Sequence, residues 1–482
     1  MQYLSTRDSA LRVSAQEAIV RGLAPQSGLF VPETFPQTDL DAWKNLSYPE
    51  LAEKVLAGFL TDYSADFLHT ATASTYGAAF GGKAGETVKV RDGLYSLELW
   101  HGPTCAFKDY ALQLMPKMLV EAKKMLGRTE TTRILVATSG DTGKAALAGY
   151  ADLDGIEIEV FYPNDGTSEI QHLQMATQKG ENVQVYAVQG NFDDAQTGVK
   201  KVFADAAVAA ELEKRGIRLS SANSINWGRL VPQIVYYFYA YFRLAEQDAV
   251  AWGKPVDFCV PTGNFGDILA GYYAKQMGLP VGKLVCASNK NNVLTDFLTT
   301  GTYDARRTFY KTTSPSMDIL ISSNLERLLC HVSGSSEKVA GWMQELNTTG
   351  KYTVDAETLE KIRETFAAGY ADDAEGAAEI KARFDEDHYL CDTHTAVAFR
   401  VAETVRTEAP MVVLSTASPF KFPRDVLAAL GQQAPVSDFA AMAALTDKTG
   451  AEAPASLREL DKQEVRFKTV LQPAEIRAAA LK

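Results

Sequence analysis

From residue 93 onward, short apolar runs alternate with helical patterns, and this alternation confines the chain to an α/β architecture with open, mostly parallel sheets. Residues 134–137, 158–162, 183–188, 257–260, 284–287 and 411–414 read as strands. Two of them lead into loops that open helices. Thr138-Ser139-Gly140-Asp141-Thr142-Gly143 precedes a helix beginning at Lys144, and Pro261-Thr262-Gly263-Asn264-Phe265-Gly266-Asp267 precedes a helix over 268–277. The last strand runs into Ser415-Thr416-Ala417-Ser418-Pro419. In open α/β sheets ligands collect beyond the ends of strands, so these loops are the first places to look for chemistry.

A chain of 482 residues exceeds the roughly 250–300 at which a single core stops growing, so two or three domains are expected. Residues 40–80 read as helices with Trp43, Leu46, Leu51, Val55 and Phe59 on the apolar side. Gly81-Gly82-Lys83-Ala84-Gly85 then reads as a loop, which sets a boundary near residue 90. The expected division is an N-terminal helical domain over 1–90, a two-lobed α/β region over 91–423 and a polar helical tail over 424–482. Residues 335–385 read as solvated helices without chemistry. Tyr236, Tyr237, Phe238, Tyr239, Tyr241 and Phe242 form an aromatic stripe whose large apolar area points to core.

A net charge of −12 disfavours nucleic acid and anionic membranes as partners, so an anionic substrate needs locally placed donors. No apolar run approaches the roughly 18 residues of a membrane span. Five separated cysteines without a Cys-x-x-Cys pair fit a reducing compartment. The six histidines form no helical pair, so no metal site is expected. Residues 1–20 lack the pattern of a targeting segment, and a cytoplasmic location is expected.

Lys108 sits at the mouth of an apolar helix, after the turn His101-Gly102-Pro103-Thr104 and between Ala106, Phe107 and Ala111, Leu112, Leu114. A lone lysine ordinarily snorkels into water. This setting implies partial burial, which lowers an ammonium pKa and frees the amine as nucleophile or base. Gly263-Asn264-Phe265-Gly266-Asp267 has glycines that let backbone N–H groups approach an anion at a helix start. Alone it would be a plain strand-to-helix turn. Ser139 to Lys144 imitates a nucleotide P-loop but fails at Thr138, where a glycine belongs, and at Ala145, where Ser or Thr should ligate magnesium. That argues against a nucleotide-binding kinase.

The run His-Gly-Pro-Thr-x-Ala-Phe-Lys-Asp-x-Ala-Leu-Gln over 101–113 resembles the cofactor-lysine segment of threonine synthases. Further segments extend the resemblance over most of the chain. Tyr3 to Pro32 resembles the N-terminal domain of that family, with Gln26-Ser27 where Asp-Gly is usual, so a turn tolerating positive φ is expected to be reshaped. Asn223-Ser224-Ile225-Asn226-Trp227, Ser314-Pro315-Ser316-Met317-Asp318 and Ser322-Ser323-Asn324-Leu325-Glu326-Arg327 resemble the fungal and bacterial branch. Asp392-Thr393-His394 departs from a family segment that has Pro before the His.

The resemblance implies a fold-type II pyridoxal 5'-phosphate enzyme of the tryptophan synthase beta-like kind. It implies conversion of O-phospho-L-homoserine and water to L-threonine and phosphate by a monomer or small homo-oligomer. It assigns Lys108 as catalytic and cofactor-bearing, Gly263, Asn264, Phe265, Gly266 and Asp267 to the cofactor phosphate loop, and Thr416 to the pyridine nitrogen. Asp267 is expected to cap or orient rather than touch the phosphate, since two anions repel. Ser139, Asp141, Thr142, Asn226 and Arg229 are expected to bind substrate. A serine or threonine dehydratase of the same fold and a non-catalytic paralogue are the alternatives; the first would lack the N-terminal domain, and the second is disfavoured by the intact lysine.

Overall fold

The computed structural model describes residues 1–164 and 167–482. A six-stranded sheet runs in the order Phe366–Tyr370, Val281–Ser288, Val256–Pro261, Met411–Ser415, Leu94–Glu98, Glu86–Arg91. The first five strands are parallel, and Glu86–Arg91 returns antiparallel against Leu94–Glu98. A second, wholly parallel sheet runs Val470–Leu471, Val183–Val188, Ile156–Pro163, Thr131–Ala137, Ile217–Ser220. This is the expected α/β class. Val256–Pro261 and Met411–Ser415 are buried along their whole length, because helices cover both faces of a parallel sheet.

The N-terminal segment adds a small sheet that the sequence reading did not contain. Tyr3–Ser5 lies between Asp8–Val13 and Phe30–Pro32, antiparallel to both. The helices Leu40–Trp43, Tyr48–Phe59 and Ala65–Tyr76 follow. Gln26 and Ser27 keep positive φ, 57° and 60°, although neither is glycine. The turn is therefore retained at a conformational cost, held by the Arg7 guanidinium donating to the Gln26 carbonyl at 2.8 Å.

Three further segments differ from expectation. The large sheet begins at Glu86, ahead of the boundary placed near residue 90. Within 335–385, the helices Ser336–Thr349, Ala356–Thr365 and Asp373–Asp387 form, but Phe366–Tyr370 is an edge strand parallel to Val281–Ser288. Its Ala-Ala-Gly interior carries little apolar signal. Gly369 is required there, since a Cβ would lie 2.8 Å from Val401 Cγ1. Beyond residue 424 the chain is not only helical, because Val470–Leu471 adds a strand to the edge of the second sheet. Two residues are too few to show a period.

The aromatic stripe forms the helix Ile234–Glu246 and packs in the core, with Tyr236, Tyr237, Phe238, Tyr241 and Phe242 all buried. Two of its hydroxyls reach the candidate site.

Candidate active site

The site gathers where parallel strands end. Leu94–Glu98 leads to the lysine segment, Met411–Ser415 to Thr416, Val256–Pro261 to the glycine loop, and Thr131–Ala137 of the second sheet to Ser139. Backbone bonds stitch the first two together. Leu99 N–H donates to the Ser415 carbonyl and Phe107 N–H to the Thr416 carbonyl, each at 2.9 Å, while Ser418 N–H donates to the Cys105 carbonyl at 3.1 Å. Asp109 folds back on the turn, accepting from Thr104 N–H at 2.8 Å and the Thr104 hydroxyl at 2.7 Å. Gly102 is needed for this, as a Cβ there would lie 2.5 Å from Asp109 Oδ2. Burial pushes the Asp109 carboxyl up to about 6 against the pull of the Thr104 donors.

Lys108 is nine-tenths buried. Its Nζ donates to Ser316 Oγ at 3.4 Å and lies 3.7 Å from Asp141 Oδ2. Burial lowers its proton affinity; Asp141 opposes this, and the charges of Lys421 and Arg229 add to it. Asp141 is buried too, which favours its neutral form, but the Lys421 and Lys108 charges outweigh burial and hold it below the usual carboxylate range. Its Oδ1 takes Lys421 Nζ at 2.7 Å and Gln171 Nε2 at 3.0 Å. Lys144 donates to Gln178 Oε1 at 2.7 Å and is lowered by burial to about 8. A cavity of about 470 Å³ lies at the Lys421 end of this cluster, lined by Ser168, Glu169, Arg424 and Asp438 among others.

The glycine loop opens the helix Gly266–Gln276. The backbone N–H groups of Gly263, Asn264, Phe265 and Gly266 donate to no protein acceptor among the described residues, which leaves an anion site at a positive helix end. Phe265 holds a left-handed φ of 62°, with its buried ring against Phe366 at 5.6 Å. Gly263 backs onto the segment 314–324: a Cβ would lie 2.8 Å from the Ser316 carbonyl oxygen. That segment grips the loop. The Ser322 hydroxyl donates to the Gly263 carbonyl at 2.8 Å, and Asn324 donates its N–H and Nδ2 to the Asn264 carbonyl, each at 3.0 Å. Ser316 thus touches both the amine of Lys108 and the wall of the glycine loop.

The gripping segment is fastened from two sides. His394 Nε2 accepts from Ser316 N–H at 3.1 Å while its Nδ1 pairs with Asp392 at 2.7 Å. That pairing fixes Nδ1 as the protonated nitrogen. The Thr393 hydroxyl donates to the Thr313 carbonyl at 2.7 Å, so the residue in place of proline ties down the same segment. From the N-terminal unit, Arg7 Nη2 meets Glu326 Oε2 at 2.6 Å and Arg327 Nε donates to the Phe30 carbonyl at 2.9 Å. The small antiparallel sheet therefore buttresses the glycine loop through Glu326 and Arg327.

Of the expected residues, Lys108, Asp141, Gly263 to Gly266 and Thr416 come together. Thr416 is buried, and its hydroxyl bonds no protein atom among the described residues. Ser139 and Thr142 likewise keep hydroxyls without protein partners among the described residues, beside Asp141 at the start of the helix Asp141–Tyr150. Asp267 turns into the core, accepting from Tyr236 at 2.6 Å and Tyr237 at 3.0 Å, and burial pushes it up to about 6. Asn226 is committed elsewhere: its Nδ2 donates to the Ile19 carbonyl and its Oδ1 caps Gly228 N–H, both at 2.9 Å. Arg229 is buried, with Nη1 on the Ala222 carbonyl and Nε without a partner. Burial lowers it to about 10. Sequence reading missed Lys421, Ser316 and His394 as parts of the site. Ser316 and His394 stood in quoted motifs, whereas nothing local marked Lys421.

The residues suit pyridoxal phosphate. A buried amine of lowered proton affinity can attack its carbonyl, four unbonded N–H groups can receive its phosphate, and the Thr416 hydroxyl can meet its ring nitrogen.

Three family models match in succession: threonine synthase N terminus over residues 2–76, pyridoxal-phosphate dependent enzyme over 84–416, and threonine synthase C-terminal over 395–479. The threonine synthase of Pseudomonas aeruginosa is 40% identical over 442 residues, which cover 90% of this chain and 92% of that protein. The threonine synthase of Schizosaccharomyces pombe is 38% identical over 469 residues, covering 89% of each chain. The crystal structure of pyridoxal-phosphate-bound threonine synthase from Brucella melitensis aligns with a TM-score of 0.90 at 38% identity, covering 100% of this chain and 99% of that one.

Proposed function

The chain belongs to the threonine synthase family of pyridoxal-phosphate-dependent enzymes, and from that premise we infer that it converts O-phospho-L-homoserine and water into L-threonine and phosphate, the last step of threonine biosynthesis. It is a lyase. The matches to both the N-terminal and C-terminal threonine synthase models favour this over a serine or threonine dehydratase. One observation carries the reading: Ser316 joins a buried lysine amine to a run of unbonded N–H groups at a helix start, inside the segment that the pyridoxal-phosphate family model spans.

When bound, pyridoxal phosphate supplies an aldehyde for amines and a conjugated ring that accepts the electron pair left when a proton is removed from the adjacent carbon. Lys108 would hold it through its amine, which the substrate amine would set free by taking its place. The free Lys108 amine is placed to take protons from Cα and Cβ and to return protons to Cγ and Cα. The Cγ–oxygen bond would break with its electron pair on the phosphate, water's oxygen would bond Cβ, and water's second proton would go to the departing phosphate. Burial suits Lys108 to this traffic, since it lowers the proton affinity of the amine and so enlarges the share of free amine able to take a proton.

The other residues bind and orient. Gly263 to Gly266 receive the cofactor phosphate on backbone N–H groups, with Asp267 holding that helix to Tyr236 and Tyr237. Thr416 would offer the ring nitrogen a neutral hydroxyl rather than a carboxylate, which would leave that nitrogen largely unprotonated. Ser139, Thr142 and Arg229 receive the acid groups of the substrate, and Asp141 acts there through its lysine partners. Around the Lys108–Asp141 pair, Lys108, Lys144, Lys421 and Arg229 outnumber Asp109, Asp141 and Asp267. An anionic substrate is thereby attracted by a chain that is negative overall. The free cysteines fit a reducing, cytoplasmic setting, and the enzyme acts as a monomer or small homo-oligomer. Among the described residues no helix is long and apolar enough to cross a membrane.

Incubating the protein with pyridoxal phosphate and O-phospho-L-homoserine tests this reading. Threonine and phosphate are expected in equal amounts. Phosphate without threonine, or a keto acid with ammonia, contradicts it.

A further inference from the structure

Lys421 is separated from the lysine motif by most of the chain, yet its side chain is fully buried beside it. Its Nζ lies 2.7 Å from Asp141 Oδ1 and donates to the Thr104 carbonyl at 3.0 Å. The other oxygen of Asp141 is 3.7 Å from Lys108 Nζ. One carboxylate thus serves two buried lysines, and it sits closer to the one without a cofactor role. We propose that Lys421 is a positioning residue: by claiming Asp141 it keeps that carboxylate from closing on Lys108, so that the Lys108 amine stays available to the cofactor carbonyl and to substrate protons. The proposal rests on the reading of Lys108 as the cofactor lysine.

The physical basis is competition for one anion. A carboxylate in direct contact with an amine stabilises its ammonium form, and the effect weakens as the pair separates. At 3.7 Å Lys108 and Asp141 form a loose pair, whereas at 2.7 Å Lys421 and Asp141 are in contact. The charged groups facing Lys108 are Asp141 and Lys421, Arg229, and Asp267 from the glycine-loop helix. Lys421 in turn faces Asp141, Asp109, Lys144 and the Cys105 thiol. Removing the Lys421 charge takes away a repulsion on Lys108 and releases Asp141 toward it. Both changes favour the Lys108 ammonium, so the sign of the effect is fixed. A residue that merely fills space and bonds Thr104 would change stability without moving that equilibrium.

The test is trace acetylation of the full chain, freed of cofactor, with acetic anhydride across a pH series, quantifying the Lys108 peptide by mass spectrometry. The pH of half-maximal labelling reports the free amine. In Lys421→Met this midpoint should rise by at least about one pH unit, a tenfold change in proton concentration. Lys421→Arg, which keeps the charge, should stay at the wild-type value. If the Met variant does not fold, Lys421→Gln keeps a donor for the Thr104 carbonyl and removes the charge, with the same rise expected. Asp141→Asn, which deletes the shared anion itself, should move the midpoint down. An unchanged or lowered midpoint in either uncharged Lys421 variant, a rise in Lys421→Arg as large as in Lys421→Met, or an unmoved midpoint in Asp141→Asn overturns the proposal. No substrate is present, so its failure and a failure to make threonine are read separately.

Discussion

The glycine loop and the lysine cluster face each other across Ser316, and they are built from opposite materials. The loop offers only backbone: unbonded N–H groups from Gly263 to Gly266, walled by the Ser316 carbonyl. The cluster offers only side-chain charge, with Lys108 and Lys421 sharing Asp141. A backbone site tolerates changes of charge nearby but not of volume. A cluster of buried charges tolerates small changes of volume but not the loss of one partner, because the remaining charge is left uncompensated. Substitutions on the two sides should therefore fail in different ways.

The largest effect falls on the cluster. Lys108→Ala removes the amine assigned to the cofactor but leaves Asp141 paired with Lys421 at 2.7 Å, so threonine formation should drop by at least a hundredfold while the thermal unfolding midpoint changes little. Turnover above that level, measured as threonine released, would break the contrast at its charged side. On the backbone side, Gly263→Val should spare folding more than cofactor binding. Its branched side chain meets the Ser316 carbonyl, where even a Cβ has only 2.8 Å. Losing one or two charge-assisted hydrogen bonds at roughly 1.5–3 kcal/mol each raises the dissociation constant for pyridoxal phosphate by about tenfold to about ten-thousandfold in equilibrium titration.

His394→Ala sharpens the comparison by acting at the wall that both sides share. It strips the acceptor from Ser316 N–H, and a buried donor left unpaired costs about 1–3 kcal/mol. Cofactor affinity should weaken by about tenfold with the Lys108 chemistry intact. A loss of turnover with unchanged affinity would place His394 on the charged side instead.

The last effect is one of pH. Burial holds Asp267 at about 6, above its ordinary value of 3.8. The native state therefore keeps a proton that the unfolded chain has already lost between about pH 4 and 6. The contribution of Asp267 to stability is fullest below pH 4 and declines as pH rises through 6, by at most ~3 kcal/mol. Asp267→Asn still accepts from Tyr236 and Tyr237 but cannot ionise. Its unfolding midpoint relative to wild type should be higher at pH 8 than at pH 4, and an equal difference at both pH values would show that Asp267 is not a buried acid.

The contrast also explains what could be read from the chain. Glycines and a lysine in an apolar helix mouth are local signals, and so were the parallel strands with their continuous apolar runs. Lys421 carried no such signal, because its significance lies in a carboxylate near residue 141 that only the fold brings to it. Asn226 shows the reverse case: its motif suggested substrate contact, and in the fold its amide caps a helix and binds the Ile19 carbonyl. The strands Phe366–Tyr370 and Val470–Leu471 escaped notice because Ala, Gly and brevity erase the period on which such readings depend.

Which of three buried or half-buried lysines carries the cofactor is the deciding question. Borohydride reduction of the pyridoxal-phosphate-loaded protein, followed by peptide mapping, decides among Lys108, Lys144 and Lys421. The cofactor mass is expected on the peptide containing Lys108 and on neither of the others. Recovery of that mass on Lys421 or Lys144 would contradict the assignment of the site.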